Sequence, residues 1–283
     1  AFTLPILDAM ARDPDATAMF LYPMKALTND QLQVLEAAER STGLEIVPGV
    51  YDGDTPRVKR PRIRQLSRAI LTNPYEVHET LPYHHLWRRV FANLRYVVID
   101  EAHRYTGVFG SNVAQVLRRL LRVAQAYGSR PQFLLASASI ANPGEHAARL
   151  TSRECAVVDG DGSPAGPRTV VFLDAATPGA GSPLVQTRDV FARLVRAGLK
   201  TLCFTQSRKA AEVVASLATE GRDPLPVAPY RAGYLPPERR RLERALFDGT
   251  LRGVVSTPAL ELGIDVGDLD AVVVSGYPGS ISA

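Results

Sequence analysis

Short apolar strands alternating with amphipathic helical stretches limit the folds open to this chain more than any other feature. In the first half, TAMFLY (17–22), EIVPGV (45–50), RAILT (68–72), RYVVI (95–99) and QFLLAS (132–137) read as strands. They are apolar throughout rather than alternating, which predicts strands covered on both faces. The helical segments between them predict parallel pairing through crossovers. The clearest helix is SNVAQVLRRLLRVAQAY (111–127). Its Val113, Val116, Leu117, Leu120, Leu121 and Ala124 share one face, and Arg118, Arg119 and Arg122 lie away from it.

Two Gly/Pro-rich stretches, 159–167 and 177–183, flank TVVFL (169–173), which reads as a strand. The alternation then restarts with TLCF (201–204), PVAPY (226–230), GVVS (253–256) and AVVVS (271–275). Between them, PPERRRLERALFDG (236–249) predicts a helix. Prolines and Glu238 open it, Leu242, Leu246 and Phe247 form its stripe, and Gly249 ends it. The expectation is an α/β protein of two domains, residues 1–165 and 166–283, each a mostly parallel sheet flanked by helices.

The chain's 283 residues, 46% hydrophobic and 22% charged, suffice for two such cores. No apolar run is long enough to span a bilayer and no basic-then-apolar leader opens the chain, so a cytoplasmic protein without membrane association is expected. Cys155 and Cys203 are too few for a disulfide framework or a Cys-rich zinc site and read as small core hydrophobes. A net charge of +4, from 29 arginines and four lysines against 29 acids, is compatible with nucleic acid without requiring it.

Chemistry enters at VVIDEAHRY (97–105), where a buried strand runs into Asp100 and Glu101. Open α/β sheets bind ligands at the carboxyl ends of their strands. There Asp100 would hold Mg²⁺ through water and Glu101 would orient and deprotonate an attacking water, as nucleotide hydrolysis requires. His103 would link this site to neighbouring loops, and the hydroxyls of SAS (137–139), on Ser137 and Ser139, would bond His103 or Asp100. Such a site also needs a loop ending in Gly-Lys-Ser/Thr, and the chain has no Gly-Lys dipeptide. Asp52 and Asp54 suit a Gly-containing turn better than a metal site. PYHHLWRR (82–89) reads as a loop or short helix packed on the sheet rather than a zinc site, and ERRR (238–241) as a basic helix patch, either a solvated face or a phosphate contact.

Taken in order, YPMKALTNDQ (22–31), YDGDTP (51–56), LTNPYEVH (71–78), VVIDEAH (97–103), SAS, TLCFTQSRKAAE (201–212), YRAGY (230–234) and STPALELGIDVG (256–267) resemble the DEAD/DEAH-box helicases of superfamily 2. YTGVFGSNVAQVLRRL (105–120) and ALELGIDVGDLDAVV (259–273) look most like the YprA/MrfA-type helicases, tied to DNA repair. The resemblance covers nearly the whole chain and implies two RecA-like domains with ATP between them and a nucleic-acid strand across the top. It implies an ATP- and Mg²⁺-dependent helicase core acting on single-stranded or partly duplex DNA, tracking 3′ to 5′. RNA is the alternative substrate, and a non-catalytic nucleic-acid-binding module the alternative function. Carried over by position, Pro23, Lys25, Gly53, Thr72 and Asn73 in the first domain, and Ser207, Arg208 and Thr257 in the second, would contact the sugar-phosphate backbone. Gly263 and Asp265 would reach toward the nucleotide. The chain departs from the family in having SAS for SAT and Pro258 where these subfamilies commonly have Asn. The phosphate loop and the final arginine motif are expected to lie beyond its two ends, so the 283-residue chain alone is expected to hydrolyse no ATP.

Overall fold

In the computed structural model the chain forms two compact units, Ala1–Asp161 and Gly162–Ala283. The structure describes residues 2–138, 140–160, 162, 166–176, 179, 181–220, 224–230, 234, 236–257 and 269–277.

The first unit runs α1 (Thr3–Arg12), β1 (Thr17–Leu21), α2 (Lys25–Thr42), β2 (Gly49–Val50), α3 (Arg60–Leu66), β3 (Ala69–Thr72) and α4 (Pro74–Thr80). A 3₁₀ segment (Leu81–Trp87), α5 (Arg88–Ala92), β4 (Leu94–Ile99), a 3₁₀ turn (Ala102–Arg104), α6 (Gly107–Ala126), β5 (Gln132–Leu135) and α7 (Pro143–Thr151) complete it. Its strands pair in the order β2-β3-β1-β4-β5, all parallel. Central β1 is buried along its whole length, as a strand covered on both faces must be. Side chains alternate between two apolar clusters. Met19, Leu21, Val97 and Ile99 pack on one face, and Ala18, Phe20, Tyr22 and Val98 on the other.

The expected stripe of α6 is buried residue for residue against the first cluster. The helix begins four residues before the predicted start, at Gly107. PYHHLWRR forms the 3₁₀ segment and the first residues of α5, with Trp87 buried edge-on to Tyr51 at 4.6 Å. Arg68 enters the interior before β3. Its guanidinium donates to the carbonyls of Met10 (2.6 Å), Asp13 (2.8 Å), Ala16 (3.2 Å) and Glu45 (2.8 Å), tying α1, the start of β1 and the chain before β2 together. Of EIVPGV only Gly49–Val50 pairs as strand. Val47 takes φ +49°, and the N–H groups of Ile46 and Val47 donate to Glu39 Oε1 instead of a neighbouring strand. QFLLAS likewise shortens to Gln132–Leu135.

The second unit runs α8 (Pro183–Arg196), β6 (Thr201–Phe204), α9 (Arg208–Thr219), β7 (Val227–Tyr230), α10 (Pro236–Phe247), β8 (Gly253–Ser256) and β9 (Ala271–Val274). Its parallel sheet has the order β7-β8-β6-β9. Phe191, Cys203, Val214 and Val255 centre the cluster on one face, and Leu202, Tyr230, Leu246 and Val254 the other. Burial pushes the Cys203 thiol up to about 12, so it stays an inert core group. α10 ends before Gly249 at φ +79°, as expected. Phe247 leaves the stripe, being 62% exposed, because one step beyond buried Leu246 turns it about 100° around a helix.

TVVFL is a clear departure. Residues 169–173 form no strand, and Val170, Val171, Phe172 and Leu173 are 66–92% exposed. The β-branched Val170 and Val171 and the aromatic Phe172 favour a pleated, half-buried surface, and none covers them among the described residues. No helix among those residues is long and apolar enough to cross a membrane.

Candidate functional site

The first-unit residues singled out from the sequence gather at one edge of the sheet. Pro23 follows β1, Gly53 follows β2, Thr72 and Asn73 end β3, Asp100 and Glu101 follow β4, and Ser137 follows β5. Lys25 opens α2, though its side chain lies outside the described positions, as does Ser139. The chain leaves β1 for β2 and β3 on one side and returns to place β4 on the other. The carboxyl end of the β1/β4 pair is therefore the topological switch point, where open sheets take their ligands.

Backbone bonds fix the acidic loop from both sides. Asp100 N–H donates to Leu21 O (3.1 Å) and Ala102 N–H to Ala136 O (2.8 Å), stitching it to β1 and to the end of β5. Glu101 between them sits in the left-handed region, φ +51° and ψ +45°. Few residues other than Gly, Asn and Asp adopt that conformation, and strain of this kind clusters at working sites. It turns the chain sharply out of β4 into the 3₁₀ turn. Gly110 closes the loop from below. A Cβ there would stand 2.1 Å from the Tyr105 carbonyl oxygen, so only glycine lets α6 approach so closely.

Burial raises the Asp100 carboxyl above its usual value, while the Glu101 N–H (2.9 Å to Asp100 Oδ1) and His103 partly offset that. His103 Nδ1 is contested. It lies 3.3 Å from Glu101 Oε2, 3.3 Å from the Ala138 N–H and 3.4 Å from Ser137 Oγ. Protonated, that nitrogen donates to Glu101; with a free lone pair it accepts from Ala138 and Ser137. The His103 and Ser137 pairing expected from the sequence is present, and it makes the ring a two-way contact between the acidic pair and the end of β5.

The other side chains are partly committed. Asn73 Oδ1 caps α4 by accepting from Glu76 N–H (2.9 Å), and Thr72 is buried. Gly53 is exposed in a loop held by Asp52, whose Oδ1 accepts from Asp54 N–H (3.0 Å), the turn role expected of that pair. Arg60 donates to the Asp52 carbonyl, lies 5.0 Å from the Tyr51 ring centre and pairs with Glu76 at 3.6 Å. In the second unit, Ser207 caps α9 through Ala210 N–H (3.1 Å) with exposed Arg208 next to it. Thr257 follows β8, the strand beside β6. Gly263 and Asp265 lie outside the described residues.

Three residues escaped the sequence reading. His146 on α7 donates from Nε2 to the Ala102 carbonyl (2.8 Å), inside the acidic loop. Tyr22 and Tyr105 are fully buried with hydroxyls that have no hydrogen-bond partner among the described residues. The only sequence signal for His146 was its place in a proline-started helix just after a site strand.

Among the described residues no group of three or more His, Cys, Asp or Glu side chains could cage a metal ion. One carboxylate at a strand end instead fits Mg²⁺, which keeps several waters and shares substrate phosphate oxygens.

Residues 1–146 match the family model described as DEAD/DEAH box helicase, and residues 186–283 that of the helicase conserved C-terminal domain. The uncharacterized ATP-dependent helicase YprA of Bacillus subtilis is 40% identical over 294 residues, covering 100% of this chain and 39% of its own. ATP-dependent helicase HRQ1 of Saccharomyces cerevisiae is 36% identical over 299 residues, 99% of this chain and 28% of its own. Among solved structures, the DUF1998 helicase MrfA bound to DNA and AMPPNP is similar with TM-score 0.90 and 38% identity, over 99% of this chain and 40% of that one. Mss116p bound to ssRNA and AMP-PNP, at 17% identity and TM-score 0.73, shares the fold alone. The chain thus spans about two fifths or less of the length of these curated relatives.

Proposed function

This chain belongs to the DEAD/DEAH box helicase family, and from that premise we propose that it forms the motor core of an ATP-dependent DNA helicase. The observation that carries the reading is the acidic pair at the β1/β4 switch point, with Glu101 held in a left-handed turn beside Asp100. Asp100 would hold Mg²⁺, through water, and the ion would supply neutralisation of the charge developing on the phosphates. Glu101 takes the proton of the attacking water as the new oxygen–phosphorus bond forms and the bond to the ADP oxygen breaks. His103 exchanges Glu101 for Ser137 and Ala138, relaying the state of the acidic pair to the end of β5. Exposed Gly53, with Pro23, Lys25 and the Asn73 amide, holds the sugar-phosphate backbone from the first unit; Ser207, Arg208 and Thr257 do so from the second. Contacts of that type bind a strand without reading its sequence. Gly263 and Asp265 act toward the nucleotide.

DNA is the favoured strand because MrfA, at 38% identity, is described bound to DNA, whereas the RNA-bound likeness extends to fold alone. Translocation is proposed to run 3′ to 5′, in the cytoplasm and in DNA repair. The test is ATP hydrolysis by the full-length protein with single-stranded DNA, single-stranded RNA or neither. DNA should stimulate turnover, and Asp100→Ala should abolish it. Stimulation by RNA alone, or full activity in Asp100→Ala, would overturn the reading. Duplexes tailed at either end then report direction.

A further inference from the structure

We propose that His146 is a positioning residue for Glu101, its ring N–H holding the Ala102 carbonyl and so keeping the left-handed turn in place from the α7 side. The proposal rests on the reading of Glu101 as the base given above.

A glutamate at φ +51° and ψ +45° stays there only where its surroundings over-determine it. On the β4 side, the Glu101 N–H donates to Asp100 Oδ1 at 2.9 Å, and the Asp100 N–H donates to Leu21 O. On the far side the bonds converge on Ala102. Its N–H donates to Ala136 O at 2.8 Å, and its carbonyl accepts from the Tyr105 N–H at 3.1 Å and from His146 Nε2 at 2.8 Å. Two of those three bonds are backbone to backbone. The third comes from a side chain and is the shorter of the two made to that carbonyl.

The two anchors outside the turn bracket one stretch of chain. Ala136 follows β5 just before Ser137, and His146 lies on α7 just beyond the connection 137–142. Ser137 and Ala138 in that connection meet His103 Nδ1, on the same 3₁₀ turn as Ala102. His146 therefore closes a ring: acidic turn, end of β5, connection, α7 and back to the turn. The helix is a firm base for that reach. Asn142 at its start donates to Glu145 at 2.9 Å, Ala147 and Leu150 are buried, and Arg118 of α6 holds Ser152 at its end by a 2.6 Å bond.

A carbonyl only accepts, so it selects the ring form that carries a proton on Nε2, which the neutral and the charged imidazole can both supply. Leucine could fill the half-buried place of His146 without reaching the carbonyl. Loss of the bond frees the Ala102 peptide to turn and lets the strained residue before it relax. The carboxylate then leaves its place beside the attacking water, and a shift of about 1 Å costs ~10²-fold in rate. Glutamine carries an N–H donor the same number of bonds from Cα as Nε2 and can restore the contact.

The test measures single-turnover and steady-state ATP hydrolysis with single-stranded DNA in the full-length protein. Its variants are His146→Leu, His146→Gln, and His146→Leu combined with Glu101→Gln, each with a thermal melt. His146→Leu should lower kcat ~10–100-fold with KM for ATP unchanged, the mark of an interaction that acts on the chemical step. His146→Gln should regain most of that loss. In the Glu101→Gln background His146→Leu should cost nothing further, because a residue that acts through another has no effect once that other is gone. Wild-type kcat in His146→Leu overturns the proposal, and so does a Gln variant as impaired as the Leu variant. A full additional loss in the Glu101→Gln background overturns it too, since His146 would then act elsewhere. Full turnover in Glu101→Gln alone overturns the base reading itself; an inactive Glu101→Gln beside an unchanged His146→Leu overturns this proposal only.

Discussion

Replacing Glu101 separates chemistry from conformation, because the residue is both the proposed base and the strained one. Its φ of +51° costs an L-residue roughly 1–2 kcal/mol. Glu101→Gly removes that strain, and the extra freedom of glycine in the unfolded chain returns about 0.5–1 kcal/mol of it. The Glu101–His103 contact at 3.3 Å, between side chains 25% and 21% exposed, is worth about 0–1 kcal/mol. Together these bracket Glu101→Gly between about 1 kcal/mol less and about 1.5 kcal/mol more stable than wild type, on the stabilising side when the His103 contact is weak. Glu101→Gln keeps the strain and should melt within about 0.5 kcal/mol of wild type. For a unit of this size a 1 kcal/mol gain moves the melting temperature by ~2–4 °C. Both variants should lose ~10²–10⁴-fold in ATP hydrolysis while still binding nucleotide. The assay is paired melting and steady-state ATPase on the full-length protein. Undiminished turnover in Glu101→Gln refutes the base, and a Gly variant less stable than the Gln variant by more than 1 kcal/mol refutes the strain argument.

Asp100→Asn should abolish hydrolysis yet stabilise the protein at neutral pH. Burial raises the folded carboxyl above 3.8, so its charged form burdens the native state once pH exceeds that raised value. The advantage of Asn should therefore be full above the raised value, shrink as pH falls through it, and vanish below 3.8; denaturant melts across pH check this. Arg68→Ala should cost about 3–5 kcal/mol, because four carbonyls lose the guanidinium and only that of Asp13 keeps another bond, from the Ala16 N–H, and a midpoint shift worth under 1 kcal/mol would contradict the role given to that guanidinium. Gly110→Ala should cost at least about 1–3 kcal/mol and lower ATP turnover with it, since its Cβ would displace the Tyr105 backbone; normal melting and turnover together would show that the loop yields freely.

The strands most legible in the sequence were short, wholly apolar and punctuated on both sides. TLCF and GVVS match β6 and β8 to the residue. Periodicity likewise gave the buried face of α6, where one side of a helix must meet the core. β2 was less legible because Glu39, seven and eight residues back, satisfies the Ile46 and Val47 amides, and such a side-chain substitute for a strand leaves no periodic trace. Asp100, Glu101 and Ser137 could be placed because strand ends in parallel sheets have a fixed meaning. The left-handed turn at Glu101 could not, for a glutamate carries no hint of positive φ. Nothing in the sequence marks Tyr22 or Tyr105, and only the fold reveals that their hydroxyls end without partners among the described residues.

The exposed run at residues 169–173 bears on the protein's colloidal behaviour. Thr169, Val170, Val171, Phe172 and Leu173 carry no charge and no proline, and they lie open to water rather than in a sheet. Arg168 precedes them and Asp174 follows. When two copies of this segment align antiparallel about Val171, each Arg168 faces the other copy's Asp174. The flanking charges that usually guard such a run from self-association here favour it. Concentration and ionic strength therefore act on this segment in the same solution: crowding promotes strand-to-strand capture, and salt weakens the charge pairing that sets its register.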